Sequence, residues 1–173
     1  EAQTVLGYVY EVGGNFKEAA KQYEKAIEND PSNKTLYGRL GHVYFRIGNK
    51  AGAEQCYKKL IELEPGMPEP YMKAFSLYFL SGENSKAEEV LRQALDAGVK
   101  EAVVYASLGY LAFNEGRNNE AAEYYSISLQ KEPNNNLYRF YYGAVLDRMG
   151  KRNDAVNMFE AAIANKADFP EVY

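Results

Sequence analysis

LGHVYFRIG, residues 40–48, decides the fold, because the chain writes the same phrase four more times: LGYVYEVGG at 6–14, AFSLYFLSG at 74–82, LGYLAFNEG at 108–116 and YGAVLDRMG at 142–150. The closing glycines, Gly14, Gly48, Gly82, Gly116 and Gly150, each stand 34 residues after the one before. Beyond each comes a small residue, at Ala19, Ala53, Ala87, Ala121 and Ala155, and four positions later a large one, at Tyr23, Tyr57, Leu91, Tyr125 and Phe159. A fixed period in this range marks a solenoid, whose units cannot bury their own apolar faces and must stack on their neighbours.

Apolar residues fall at helical spacing on both sides of each glycine, as in Val5, Leu6, Val9 and Tyr10, then Ala19, Ala20, Tyr23, Ala26 and Ile27. Two such faces joined at a glycine predict a helical hairpin for each repeat. Pro31, Pro65 and Pro133 are placed to stop second helices, and Gly98 to end the third as a left-handed cap. Gly7, Gly41, Gly109 and Gly143 fall inside first helices, where glycine costs about 1 kcal/mol relative to alanine, so a close helix approach is expected there. Ala19 and its counterparts are expected to let the two helices nest, with the large residues filling the space toward the next repeat.

Composition narrows the class of protein. With 46% hydrophobic residues in 173 the chain has enough apolar surface to fold, and its 16 Tyr and 8 Phe with no Trp suit repeated interfaces that need a large side chain with one wet edge. A net charge of −4 argues against binding to a phosphate backbone. Cys56 stands alone, which excludes an internal disulfide and a multi-cysteine metal site. No apolar run approaches the roughly 18–20 residues that span a bilayer, so no direct membrane insertion is expected. The chain starts at Glu1 without a methionine, and Pro170-Glu-Val-Tyr173 restates Pro68-Glu-Pro-Tyr71, so a longer native protein is expected.

The chain resembles the tetratricopeptide repeat family. In the second repeat the family's pattern reads Tyr37, Leu40-Gly41, Tyr44, Ala53, Tyr57 and Pro65, with Leu60 where alanine is usual. The first repeat carries Leu6-Gly7, Tyr10, Ala19, Tyr23, Ala26 and Pro31, and the fourth Tyr105, Leu108-Gly109, Ala121, Tyr125 and Pro133; the third and fifth are looser. The resemblance implies an all-α, right-handed superhelical solenoid of five helix-turn-helix hairpins. Its repeats would be residues 1–33, 34–67, 68–101, 102–135 and 136–169, in a single domain with the start of a sixth repeat at 170–173.

The resemblance also implies a concave groove lined by the first helices. Family groove positions fall on Glu1, Thr4, Val5, Tyr8 and Glu11; Arg39, His42, Phe45 and Arg46; Met72, Lys73, Ser76, Phe79 and Leu80; Ala106, Ser107, Tyr110, Phe113 and Asn114; and Phe140, Tyr141, Ala144, Asp147 and Arg148. Phe45, Phe79 and Phe113 recur at the repeat period, either as packing between hairpins or as an aromatic ladder for the apolar side chains of a bound segment. Residues 34–67 carry 6 basic and 3 acidic side chains, against 3 and 6 in residues 1–33, so Arg39, Arg46 and Lys73 near His42 would favour an acidic group. Some family members hold a terminal carboxylate with a Lys and Asn clamp. Here Thr4, Tyr8 and Arg39 stand at clamp positions, so that mode is not reproduced.

Catalysis has little to work with. His42 is the sole histidine and is expected in the groove, whereas Cys56 is expected on a second helix pointing elsewhere, so the two make no dyad. No glycine loop cradles phosphate, and Glu88-Glu89 has nothing opposing it. The expected function is a non-enzymatic adaptor that needs no cofactor. It would bind a peptide or helical segment of a partner protein through apolar and acidic groups, at Tyr8, Arg39, His42, Phe45, Arg46, Lys73, Ser76, Phe79, Tyr110, Phe113 and Tyr141. The alternatives are a self-assembling scaffold, hence a homo-oligomer, and the substrate-recruiting arm of a larger enzyme.

Overall fold

The computed structural model describes residues 2–164; Glu1 and the repeat start at 170–173 lie outside the described residues. The described residues form ten α-helices and no strand, and they divide between Gly98 and Val99 into two units. The first unit holds α1 (Ala2–Val12), α2 (Phe16–Asn29), α3 (Lys34–Arg46), α4 (Lys50–Leu63), α5 (Pro68–Leu80) and α6 (Asn84–Asp96). The second holds α7 (Ala102–Asn114), α8 (Asn118–Lys131), α9 (Asn136–Arg148) and α10 (Arg152–Ala164).

Odd and even helices pair as hairpins, and within each unit consecutive hairpins stack: α2 on α3 and α4 on α5 in the first, α8 on α9 in the second. The turn glycines explain the hairpins. Gly14, Gly48, Gly82, Gly116 and Gly150 all have φ between 73° and 77°, a left-handed conformation that L side chains adopt only under strain. Gly98 ends α6 in the same way with φ 86°. Asp30, Glu64 and Glu132 close α2, α4 and α8, each immediately before a proline that cannot continue the helix. Between hairpins, the Tyr37 hydroxyl donates to the Pro31 carbonyl at 3.1 Å and Tyr71 to that of Pro65 at 2.9 Å, which pins the start of each new first helix to the turn before it.

The core of the first unit runs through Ala19, Ala20, Tyr23, Ala26, Leu36, Leu40 and Val43. The second unit has its own, through Ala102, Ala106, Ala112, Ala121, Tyr125, Tyr138 and Val145. Here the aromatics differ from expectation. Rather than only facing the next repeat, they sit on the helical glycines of their own hairpin. A Cβ built on Gly7 would lie 2.7 Å from Tyr23 and one on Gly143 2.8 Å from Phe159, and Gly41 stands equally close under Tyr57. The glycine of the Leu-Gly pair is the seat for the ring of the second helix, which is why both recur together.

Candidate functional site

In the first unit the inter-hairpin face of α1, α3 and α5 carries two adjoining clefts. The larger, about 560 Å³, is lined by Glu11, Lys34, Arg39, His42, Glu64, Glu69 and Lys73 together with Thr35, Gly38, Leu60 and Met67. Its anchor is Glu11, on the last turn of α1. The Glu11 carboxylate accepts the Tyr23 hydroxyl at 2.6 Å and Arg39 Nη1 at 3.1 Å, with His42 Nδ1 also 3.1 Å away. Arg39 lies over the Tyr8 ring at 4.8 Å as well. Burial works against a charge on Glu11, but hydrogen bonds from Tyr23, His42 and Arg39 outweigh it and hold the carboxyl below its ordinary value. Tyr23 moves the opposite way, raised first by burial and then by its bond to Glu11.

This predicts a pH signature. Glu11 has a depressed pKa, so its stabilisation is fully present above the unfolded value, about 4.3 for a glutamate, and is lost as the pH falls through the folded value. Glu11→Gln is expected to lower the melting temperature at pH 7, with the gap to wild type narrowing as the pH falls below about 4.3, read by thermal denaturation across an acid pH series.

Every other cation of this cleft also has an acidic neighbour. Lys34 pairs with Glu64, and Lys73 Nζ sits 3.4 Å from Glu69 on its own helix. The cations that line this cleft are thus drawn into pairs, Arg39 and Lys34 across helices and Lys73 within its own. Arg46 stands apart: its guanidinium lies over the Phe16 ring at 4.4 Å, at the hairpin end of the preceding repeat.

The smaller cleft, about 310 Å³, is lined by His42, Phe45, Tyr57, Glu69, Met72, Lys73, Ser76 and Leu77. Its walls are largely apolar. The Ser76 hydroxyl donates to the Met72 carbonyl at 2.8 Å, so its proton is spent on its own helix. Phe79 stacks on Phe75 at 5.6 Å, one turn beyond the cleft.

In the second unit, Tyr110, Phe113 and Tyr141 make an aromatic cluster of their own. Tyr110 meets Tyr141 edge-on at 5.4 Å, Tyr141 stacks on the buried Tyr125 at 5.9 Å, and Arg148 lies over Phe113 at 3.7 Å while donating to its carbonyl. The three recurrent phenylalanines thus have three different settings. Phe45 lines a cleft, Phe79 stacks on a neighbour and Phe113 lies beneath an arginine.

Sequence reasoning missed Tyr57, Glu69, Lys34 and Glu64 as lining residues. A signal for Tyr57 was present, since Tyr23, Tyr57 and Tyr125 share a register while the first-helix residues opposite them change from Glu11 to Phe45 and Phe113. Cys56, by contrast, is buried, and its thiol is pushed up to about 12 by burial and then by Glu24, which leaves no reactive thiolate at neutral pH. Among the described residues no group of His, Cys, Asp and Glu could hold a metal ion, and no helix is long and apolar enough to cross a membrane.

These hairpins define the class. Residues 7–48 match a model described as a TPR repeat, and residues 35–67 and 72–136 match two models described as the tetratricopeptide repeat. The chain belongs to the tetratricopeptide repeat family, whose fold is in general a non-catalytic scaffold for protein interaction. Among solved structures, a crystal structure of MamA is 26% identical with a TM-score of 0.77, over 92% of this chain and 94% of that one. PilF of Pseudomonas aeruginosa, 19% identical over 97% and 77% of the two chains, has a TM-score of 0.76. YrrB, described as a TPR protein with an unusual peptide-binding site, is 20% identical over 96% and 86%, with a TM-score of 0.69. These last two show likeness of fold alone. No curated protein matches the chain in sequence.

Proposed function

We propose that the chain is a non-enzymatic adaptor that binds a peptide or helical segment of a partner protein along the first helices of its hairpins. The observation that carries this reading is the pair of adjoining clefts on α1, α3 and α5, one charged and one apolar, which offer a segment both a polar register and an apolar seat. Arg39 and His42 edge the charged cleft, Phe45 and Met72 the apolar one, and Phe79 lies beyond them on α5.

The experiment is affinity capture from a cell extract with the wild-type chain and with an Arg39→Ala, Phe79→Ala double variant, bound proteins being identified by mass spectrometry. Both side chains are only partly buried, so the variant is expected to keep its helical circular dichroism. Partners held by the wild type are expected to fall at least about tenfold with the variant, the loss typical of removing two contact residues. Equal recovery would refute binding along these helices.

One observation favours the scaffold reading as the second. Leu6 and Val9 on α1 are 41% and 58% exposed, whereas their register equivalents on α3, Leu40 and Val43, are 5% and 0% exposed beneath the preceding hairpin. A second copy stacked on α1 would cover them as α2 covers α3. Capture that returned only further copies of this chain, equally with both baits, would put that reading first.

A further inference from the structure

The Glu11 cluster has a counterpart one repeat on from which the carboxylate is missing. Advancing Glu11, Tyr23, Arg39 and His42 by the 34-residue period gives Phe45, Tyr57, Lys73 and Ser76, and all four of these line the smaller cleft. Tyrosine, cation and hydrogen-bonding side chain are each replaced by a residue of their own kind. Only the carboxylate gives way to a ring that cannot accept a proton.

The consequence is visible at Tyr57. In the first repeat the Tyr23 hydroxyl is satisfied by Glu11 at 2.6 Å. Tyr57 is 5% exposed, yet among the described residues its hydroxyl makes no hydrogen bond, and its proton is held more tightly than usual by burial and by Cys56. No acceptor among the described residues is therefore given to Tyr57 where Tyr23 has Glu11. Lys73 offers the charge. Among the described residues its ionic neighbour is Glu69 at 3.4 Å, an i,i+4 pair whose glutamate side chain is 71% exposed, and pairs so exposed are weak.

The other repeats of this register do not keep the set. In the third, Leu91 replaces the tyrosine. In the second unit the equivalent residues are Phe113, Tyr125, Tyr141 and Ala144, and the Tyr141 ring stacks flat on Tyr125, an 11° interplanar angle, where a cation would stand. The Tyr125 hydroxyl is left buried without a partner. Of the settings compared at this register, the cleft beneath Phe45 keeps both the tyrosine and the cation beside open volume.

We infer that this cleft is a carboxylate-binding site: an acidic group of the partner takes, between α4 and α5, the place that Glu11 holds between α2 and α3. It accepts hydrogen bonds from the Tyr57 hydroxyl and Lys73 Nζ, displaces Glu69, and rests its aliphatic stem on Met72 and Leu77. This rests on the binding reading above and names the chemistry of one contact within it.

The test is a nuclear magnetic resonance titration of protein labelled in its tyrosine rings, with the Tyr57 signal assigned from Tyr57→Phe. Three probes are used at matched ionic strength: N-acetylglutamate α-amide for a side-chain carboxylate, N-acetylleucine for a terminal one, and N-acetylglutamine α-amide as the neutral control. A saturable shift of the Tyr57 ring is expected with one or both acids and not with the amide, and the stronger acid identifies the source of the carboxylate. Lys73→Met is expected to weaken it by about tenfold or more, the range for charge-assisted bonds. Glu69→Gln is expected to tighten it by about threefold, and Phe45→Glu, which restores a carboxylate within the chain, to abolish it.

Equal response to acid and amide, no response at all, or a response indifferent to Lys73→Met would each overturn the site. A silent titration beside a partner lost from the double variant in the capture experiment would refute this site and leave the binding reading standing. A positive titration beside equal capture would do the reverse.

Discussion

Tyr23→Ala is expected to lower stability by roughly 3–5 kcal/mol, the range for emptying a large buried aromatic site. Tyr23 is fully buried, its ring fills the space over Gly7, and its hydroxyl supplies the shortest bond of the Glu11 cluster. Truncation opens a cavity and strips the partly buried carboxylate of a donor. The conservative change separates these effects: Tyr23→Phe keeps the packing and loses only a bond to a charged group, about 1.5–3 kcal/mol. Tyr57→Phe is the internal control. It removes a hydroxyl that has no hydrogen-bond partner among the described residues, so the free protein is expected to lose at most about 0.5 kcal/mol. Urea unfolding followed by circular dichroism measures all three, and equal losses for the two Tyr→Phe changes would contradict the contrast between the two repeats.

Gly41→Ala should destabilise by about 1–3 kcal/mol, although glycine to alanine inside a helix ordinarily gains about 1 kcal/mol. The sign reverses because the new methyl group would overlap the Tyr57 ring, which is itself buried in the core at 5% exposure. Gly38, one turn earlier on α3, supplies the comparison. A Cβ there would meet its nearest neighbour, Leu60, at an ordinary 3.7 Å, so Gly38→Ala is expected to stabilise by up to about 1 kcal/mol. If both changes stabilised, the seating of the ring on the glycine would be wrong.

The repeat was legible because its determinants are local. A left-handed glycine at each hairpin turn, a proline after the second helix and a helical glycine facing an aromatic leave marks at fixed offsets, and a period of 34 repeats them until they cannot be mistaken. The clefts were legible only in outline. The period places Arg39, His42, Lys73 and Phe45 on the first helices, but it does not say that Arg39 reaches back 28 positions to Glu11 or that Lys34 reaches forward 30 to Glu64. The first depends on the distance between stacked hairpins and the second on how close the open ends of one hairpin stand, and neither distance is written in the period. Ser76 shows the same limit: a groove hydroxyl in the sequence, in the fold it bonds the Met72 carbonyl of its own helix. Tyr57 was hidden for another reason. Its register marks it as packing, and only comparison of the Glu11 cluster with the next repeat shows a phenylalanine where its acceptor would stand.

Binding along the first helices is tested most directly by photo-cross-linking a captured partner to p-benzoylphenylalanine placed at Ser76 on α5 or at Lys58 on α4. Both positions are exposed, but Ser76 lines the apolar cleft whereas Lys58 lies on the second helix of its hairpin, outside both of these clefts. The partner is expected to cross-link at Ser76 and not at Lys58. Cross-linking at Lys58 with none at Ser76 would contradict the adaptor reading and place the interaction on the outer helices.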